Sequence, residues 1–292
     1  MGQDSKIAWC RHTFNGWIGC THKSEGCRFC YAEATWDTRF SRVQWGPKGD
    51  RSLTSDANWA EPLKWNRVAA AEGLSASVFA YSLADIFDDH KSILPTWRHR
   101  QHKLIADTQN LDWLLLTKRP ENWWWALPSG EPRAPYKNIR LGVSIENQAA
   151  ADQFGPILQL AADLGWPTFV SYGPAIGPVD WEPLLANGAC QWIVAEGESG
   201  PNARPPHPDW FRAARDACAK YGRPFLMKQW GEWQPLDIGC GFDPDHYKAR
   251  TSTHVGQGMT NVVMLRTGTS DSGRMLDRVI WDQKPAPRRL AA

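Results

Sequence analysis

Ile139-Arg140-Leu141-Gly142-Val143-Ser144-Ile145 is an apolar run too short for a helix; Gln148–Leu164 follows with helical spacing, Gly165 stops it, and Thr168–Tyr172 is again β-rich. A short buried strand, a helix closed by glycine and a second short strand make one βαβ unit. Its strands are near-continuous apolar runs, the pattern of a parallel sheet covered on both faces. The same rhythm extends in both directions. Ser77–Leu83 precedes a helix over Pro95–Thr108, and Asp112–Leu116 precedes a short helix over Glu121–Ala126. Gln191–Ala195 precedes a helix over Pro208–Tyr221, with proline at its start and Gly222 just past its end, and Phe225–Lys228 closes the series. With an irregular first segment over Ile7–Ile18 there are about seven units, which predicts a (β/α) barrel or partial barrel of parallel strands. A doubly wound open sheet is the competing architecture, without a Gly-x-Gly-x-x-Gly turn to favour it. Helices are also predicted over Tyr31–Phe40 and Ala57–Glu72, and a polar loop over Gln44–Ser55. Beyond Trp230 the composition changes: Gly239–Gly258 reads as loop, Val262–Arg266 and Arg278–Trp281 as short strands. The predicted organisation is a barrel over residues 1–232 with a loop-rich appendage over 233–292 packed on it.

Parallel α/β proteins keep their chemistry at the carboxyl ends of the strands. Here the first segment runs into Gly19-Cys20-Thr21-His22-Lys23-Ser24-Glu25-Gly26-Cys27-Arg28-Phe29-Cys30. Two residues separate Cys27 from Cys30, so their sulfurs can share one metal or cluster, and Gly26 lets the chain bend before them. Thiolates so spaced hold zinc or an iron–sulfur cluster; three without an obvious fourth suit a cubane with one open iron. Packing alone is the plainer use of cysteine, and it is the reading for Cys10, Cys190, Cys218 and Cys240. His22 reads as an exposed loop residue. The other strand ends carry Asp85, Lys118 and Arg119, Glu146, Glu198 and Lys228. Any one of these is ordinarily a solvated loop charge, but their shared face points to one site. Lys118, Arg119 and Lys228 suit a carboxylate or phosphate, and Glu198 and Asp85 an amine or ribose hydroxyl.

Thirty-three basic residues against 31 acidic leave a formal charge of +2, so no global field for polyanions follows. An odd number of cysteines, four of the seven within the first 30 residues, and no apolar segment at Met1–Ser5 lead to the expectation of a reducing cytoplasm, and no apolar run approaches a membrane span. The 18 tryptophans are expected mostly in the core.

Phe29-Cys30 with a cysteine loop after the first strand resembles the radical S-adenosylmethionine superfamily. A closer resemblance runs through Gly19-Cys20, Gly26-Cys27, Cys30-Tyr31-Ala32-Glu33, Leu116-Thr117-Lys118-Arg119-Pro120, Leu141 to Asn147, Glu198-Ser199-Gly200-Pro201, Ala203-Arg204-Pro205 and Lys228-Gln229-Trp230-Gly231. Together these motifs are similar to the uncharacterised "three-Cys-motif" family of phages and mobile elements. That resemblance implies a [4Fe-4S] cluster on Cys20, Cys27 and Cys30, with S-adenosylmethionine at the open iron. Lys118, Arg119, Glu198, Asp85, Glu146 and Lys228 would surround it, and an electron donor would serve as partner. Reductive cleavage would give a 5′-deoxyadenosyl radical that abstracts hydrogen from a nucleic-acid base, nucleotide or related molecule. The chain departs from these patterns in three places. Six residues, not three, separate the first two cysteines. Gly173 stands before Pro174 where the family usually has an acid, and the stretch Gly273-Arg274-x-Leu276-Asp277-Arg278 has arginine where it tends to have glycine. The runner-up is a non-enzymatic module in which zinc or a cluster pins a loop for nucleic-acid or protein binding.

Overall fold

The computed structural model describes residues 2–127, 136–236 and 261–290, and the backbone of 252–255. Seven strands build its sheet: β1 (His12–Phe14), β2 (Ala76–Ala80), β3 (Leu111–Thr117), β4 (Ile139–Ser144), β5 (Thr168–Tyr172), β6 (Ile193–Glu196) and β7 (Phe225–Gln229). They are hydrogen-bonded in sequence order and every neighbour is parallel. The sheet curls into a half-barrel; β1 and β7 remain edges. Four long helices, α1 (Asp56–Glu72), α2 (Pro95–Asp107), α3 (Gln148–Asp163) and α4 (Pro208–Lys220), alternate with the strands. Asn147 caps α3 by accepting from the Ala150 amide at 3.0 Å, which satisfies one of the free donors of its first turn.

Strand periodicity divides the core in two. Outward residues such as Val78, Trp113, Leu141, Val170, Ile193 and Met227 form the large core with the helices. Inward residues Phe79, Leu114, Phe169, Trp192, Val194 and Leu226 form a second cluster around Trp9 from the amino-terminal segment. The Trp9 ring lies 4.4 Å from Phe79, 5.7 Å from Phe169 and 5.9 Å from Trp192. These rings fill the lower lumen, and the tryptophans are used as expected, as apolar bulk.

Several local readings change. The first strand is only His12–Phe14; the chain kinks at Asn15-Gly16 and resumes the parallel direction where Gly19 bridges Ala84. Trp17–Ile18 pairs antiparallel with Ser52–Leu53, a strand inside the predicted polar loop. Tyr31–Phe40 is one α-turn that widens into a π-helix over Ala34–Arg39. Glu182–Ala186 is a helix the periodicity did not show. Ser252–Val255, predicted as loop, pairs with Val262–Arg266, which pairs with Trp233–Pro235. Isolated apolar signal is weak in such short strands, and partners far along the chain decide them. Trp233, Met264 and Leu276 belong to the same core as the sheet, so the carboxyl-terminal part packs on the half-barrel. Its last residues cross beneath it: the Met227 amide donates to Trp281 O at 2.9 Å and the Ser75 amide to Arg288 O at 2.9 Å.

Candidate functional site

A cavity of about 510 Å³ opens at the carboxyl ends of the strands, above the Trp9 plug. Cys20, Cys27, Cys30, Asp85, Lys118, Arg119, Glu198 and Lys228 all line it. Glu146, the ninth residue expected there, stands directly behind the cysteine loop. Its carboxylate accepts from Ser24 Oγ at 2.7 Å and the Gly26 amide at 3.1 Å, and pairs with Lys118. A Cβ on Gly26 would fall 2.3 Å from Glu146 Oε1. Gly26 is therefore required for close approach, within a 3₁₀ turn over Glu25–Cys27.

The cysteine loop is tied down from four sides. Arg119 is buried, donating to Asp85 Oδ2 at 3.2 Å, to Thr21 O at 2.9 Å and to Cys20 Sγ at 3.7 Å. Asp85 also accepts from Thr117 Oγ1 at 2.8 Å, the Lys118 amide at 3.1 Å and the Phe87 amide at 2.9 Å. Arg51 is buried too: its guanidinium reaches Asp88 Oδ2 at 2.7 Å, Thr21 Oγ1 at 2.7 Å and Gly49 O at 2.7 Å. Arg204 grips Glu198 through Nε at 2.8 Å and its second nitrogen at 2.6 Å, and reaches Glu25 Oε1 at 2.9 Å. Its guanidinium also lies 5.4 Å from the Phe29 ring centre.

These contacts redistribute the expected roles. Asp85 and Glu198 were expected to receive a ligand's amine or hydroxyl, yet their oxygens are engaged by Thr117, Arg119 and Arg204. Lys118 pairs with Glu146, whereas Arg119 turns to Asp85 and Asp88. Burial opposes the charge on Lys118, but Glu146, Cys27 and Cys30 outweigh it and hold the ammonium above its ordinary range. Arg51 gave no signal in sequence, being one cation in a polar loop. Glu196 was passed over among the acids of its loop. It pairs with Lys228 at 2.5 Å inside the cavity. His22 pairs with Glu33 at 2.5 Å on the surface.

All three loop thiols are free and partly exposed, while Cys10, Cys190 and Cys218 are buried; Cys240 lies outside the described residues. Burial pushes the Cys20 thiol up to about 12, with Asp85 adding to it and Arg119 opposing. One N–H donor faces each of two sulfurs: the Lys23 amide is 3.5 Å from Cys27 Sγ and the Arg119 guanidinium 3.7 Å from Cys20 Sγ, while Ser24 Oγ, whose hydrogen goes to Glu146, lies 3.7 Å from Cys27 Sγ. Among the described residues no three His, Cys, Asp or Glu side chains stand close enough for a single metal ion, and no helix is long and apolar enough to cross a membrane.

Fold and site together define an α/β half-barrel protein with a cysteine-lined cavity at its carboxyl mouth. The profile of a family described as protein of unknown function (DUF5131) matches residues 4–285, and the chain belongs to that family. Its description carries neither a phage origin nor a radical S-adenosylmethionine relationship. No curated protein and no solved structure matches.

Proposed function

We propose that the cavity is the active site of an iron–sulfur enzyme of the radical S-adenosylmethionine type. The observation that carries this is the placement of Cys20, Cys27 and Cys30 on one cavity wall, on a loop braced by Arg119, Glu146, Arg51 and Arg204. A loop that only pinned itself through a structural ion would need no cavity below it and no bracing from distant strand ends. The donor set fits a cubane cluster: three uncombined thiols, partly exposed, with N–H groups directed at sulfur. When bound, the cluster would supply the electron that cleaves S-adenosylmethionine, whose adenosyl fragment takes hydrogen from the substrate.

The protein's own part is bracing, charge and exclusion of water. Lys118, kept charged beside Cys27 and Cys30, is the cation for the cofactor's carboxylate. Arg119, Asp85, Glu146 and Glu198 act through the loop they position, and Lys228 with Glu196 faces the substrate end. Calorimetry on anaerobically reconstituted protein tests this. Lys118→Met should keep its iron and bind S-adenosylmethionine about ten- to a hundredfold more weakly, the loss of one sheltered charge-assisted contact. Unchanged affinity at full iron content would remove Lys118 from the cofactor site.

A further inference from the structure

Glu196 and Lys228 point inward from adjacent strands, the last of the inward row above Val194 and Leu226. Each side chain is 20% exposed, and both line the cavity. An ion pair half withdrawn from water contributes little stability, and an apolar pair of similar volume would serve the fold as well or better. Its polar groups are only partly used. Glu196 Oε2 accepts from Lys228 at 2.5 Å and from Gln229 Nε2 at 3.3 Å, while Oε1 accepts from no described residue. Among the described residues Lys228 donates one of its three hydrogens, to Glu196. Oε1 has room because position 173 is glycine: a Cβ there would lie 2.9 Å from Oε1 and 2.5 Å from Glu196 Cγ. Ser144 and Ser171, level with Val194 on the two preceding strands, also line the cavity and their hydroxyls have no partner among the described residues; the Trp9 and Phe79 rings line it as well.

From this arrangement we infer a subsite for the edge of a nucleobase. An acceptor oxygen beside an ammonium matches a planar heterocycle that carries a ring N–H next to a carbonyl, as uracil and guanine do. The N–H donates to Glu196 Oε1, the carbonyl accepts from Lys228 Nζ, and the aromatic floor receives the ring face. The inference deepens the proposed activity by naming the substrate class of the same cavity, and so rests on that cavity being the active site.

Saturation-transfer NMR and calorimetry with four probes test it: uridine, 3-methyluridine, guanosine and 1-methylguanosine. Uridine and guanosine should bind at millimolar concentration or below, and methylation of the ring nitrogen should weaken each about tenfold or more, the loss of one charge-assisted hydrogen bond. Glu196→Leu should lose that preference, and Lys228→Met should weaken parent and methylated nucleosides alike. Gly173→Ala, which keeps both charges but crowds the carboxylate, should reduce the preference. Methylated and parent nucleosides binding alike, or none of the four binding, would overturn the subsite. The methyl comparison in wild-type protein needs no variant to fold. The series is run on both iron-loaded wild type and Cys27→Ala. A failure to load iron would then sink the cluster reading while leaving the nucleoside result standing.

Discussion

The two ends of the half-barrel are built from the same strands with the same alternation, yet they hold opposite chemistry. At the amino end the inward positions are Phe79, Leu114, Phe169 and Trp192, packed on Trp9 and crossed underneath by the segment through Trp281 and Arg288. At the carboxyl end the inward and loop positions are charged, and nearly every charge is matched: Arg119 with Asp85, Arg51 with Asp88, Lys118 with Glu146, Arg204 with Glu198. The amino end gains from burial of rings. The carboxyl end withdraws ions from water, which is costly to stability even when each is paired. The upper network is there for position: it fixes a loop carrying three thiols. Within the cavity the Glu196–Lys228 pair keeps an unused acceptor oxygen beside unused donors among the described residues.

The comparison breaks most visibly in two substitutions of similar severity. Arg119→Ala leaves Asp85 buried without its cation and should destabilise the protein by about 3–5 kcal/mol in urea unfolding. Phe169→Ala should cost about as much through the cavity it leaves. Only Arg119→Ala should also lose iron under conditions where the variant remains folded. Equal iron loss from Phe169→Ala would show that the two ends are not separable.

A smaller effect sharpens the carboxyl end. Gly26→Ala puts a methyl group against Glu146 and should cost about 1–3 kcal/mol. Adding Glu146→Ala to it should cost less than the sum of the two single changes, since the clash disappears with the carboxylate. Simple additivity would mean the glycine serves the turn and not the approach.

The smallest effect belongs to the opposite side. His12 is buried against the Trp65 ring at 4.5 Å and accepts from the Asp4 amide at 3.2 Å. Burial, with Arg11 nearby, pushes its imidazole down to about 4. A depressed folded value means that its contribution is complete well above about 6.5, where the unfolded chain's histidine is neutral too. It is lost as pH falls toward 4. Between pH 6.5 and 5.5 the loss should be about 1 kcal/mol, and His12→Gln should flatten that slope. A slope that survives in His12→Gln would assign the titration to another group.

How much of this was legible follows from the same contrast. Short apolar runs such as Ile139–Ile145 announce a covered parallel sheet because their period and length suffice. The Cys27–Cys30 spacing and the charges at the strand ends marked one face, and the cavity brings eight of those nine residues to its wall. What stayed hidden is pairing. Nothing local tells that Arg119 turns to Asp85 while Lys118 turns to Glu146, or that Arg204 occupies the oxygens of Glu198. Gly26 read as a backbone bend and Gly173 as a position lacking an acid, and the use of both depends on carboxylates 120 and 23 positions away, Glu146 and Glu196. Arg51 was invisible because a single arginine in a polar loop has no pattern.

The central claim is that Cys20, Cys27 and Cys30 together hold one iron–sulfur cluster, and iron analysis of anaerobically reconstituted single variants tests it most directly. Wild type and Cys218→Ala should both be brown, with about four irons per chain, and Cys20→Ala, Cys27→Ala and Cys30→Ala should each lose most of that iron. Colourless wild-type protein carrying one zinc, or iron loss from Cys218→Ala as large as from Cys27→Ala, would contradict it.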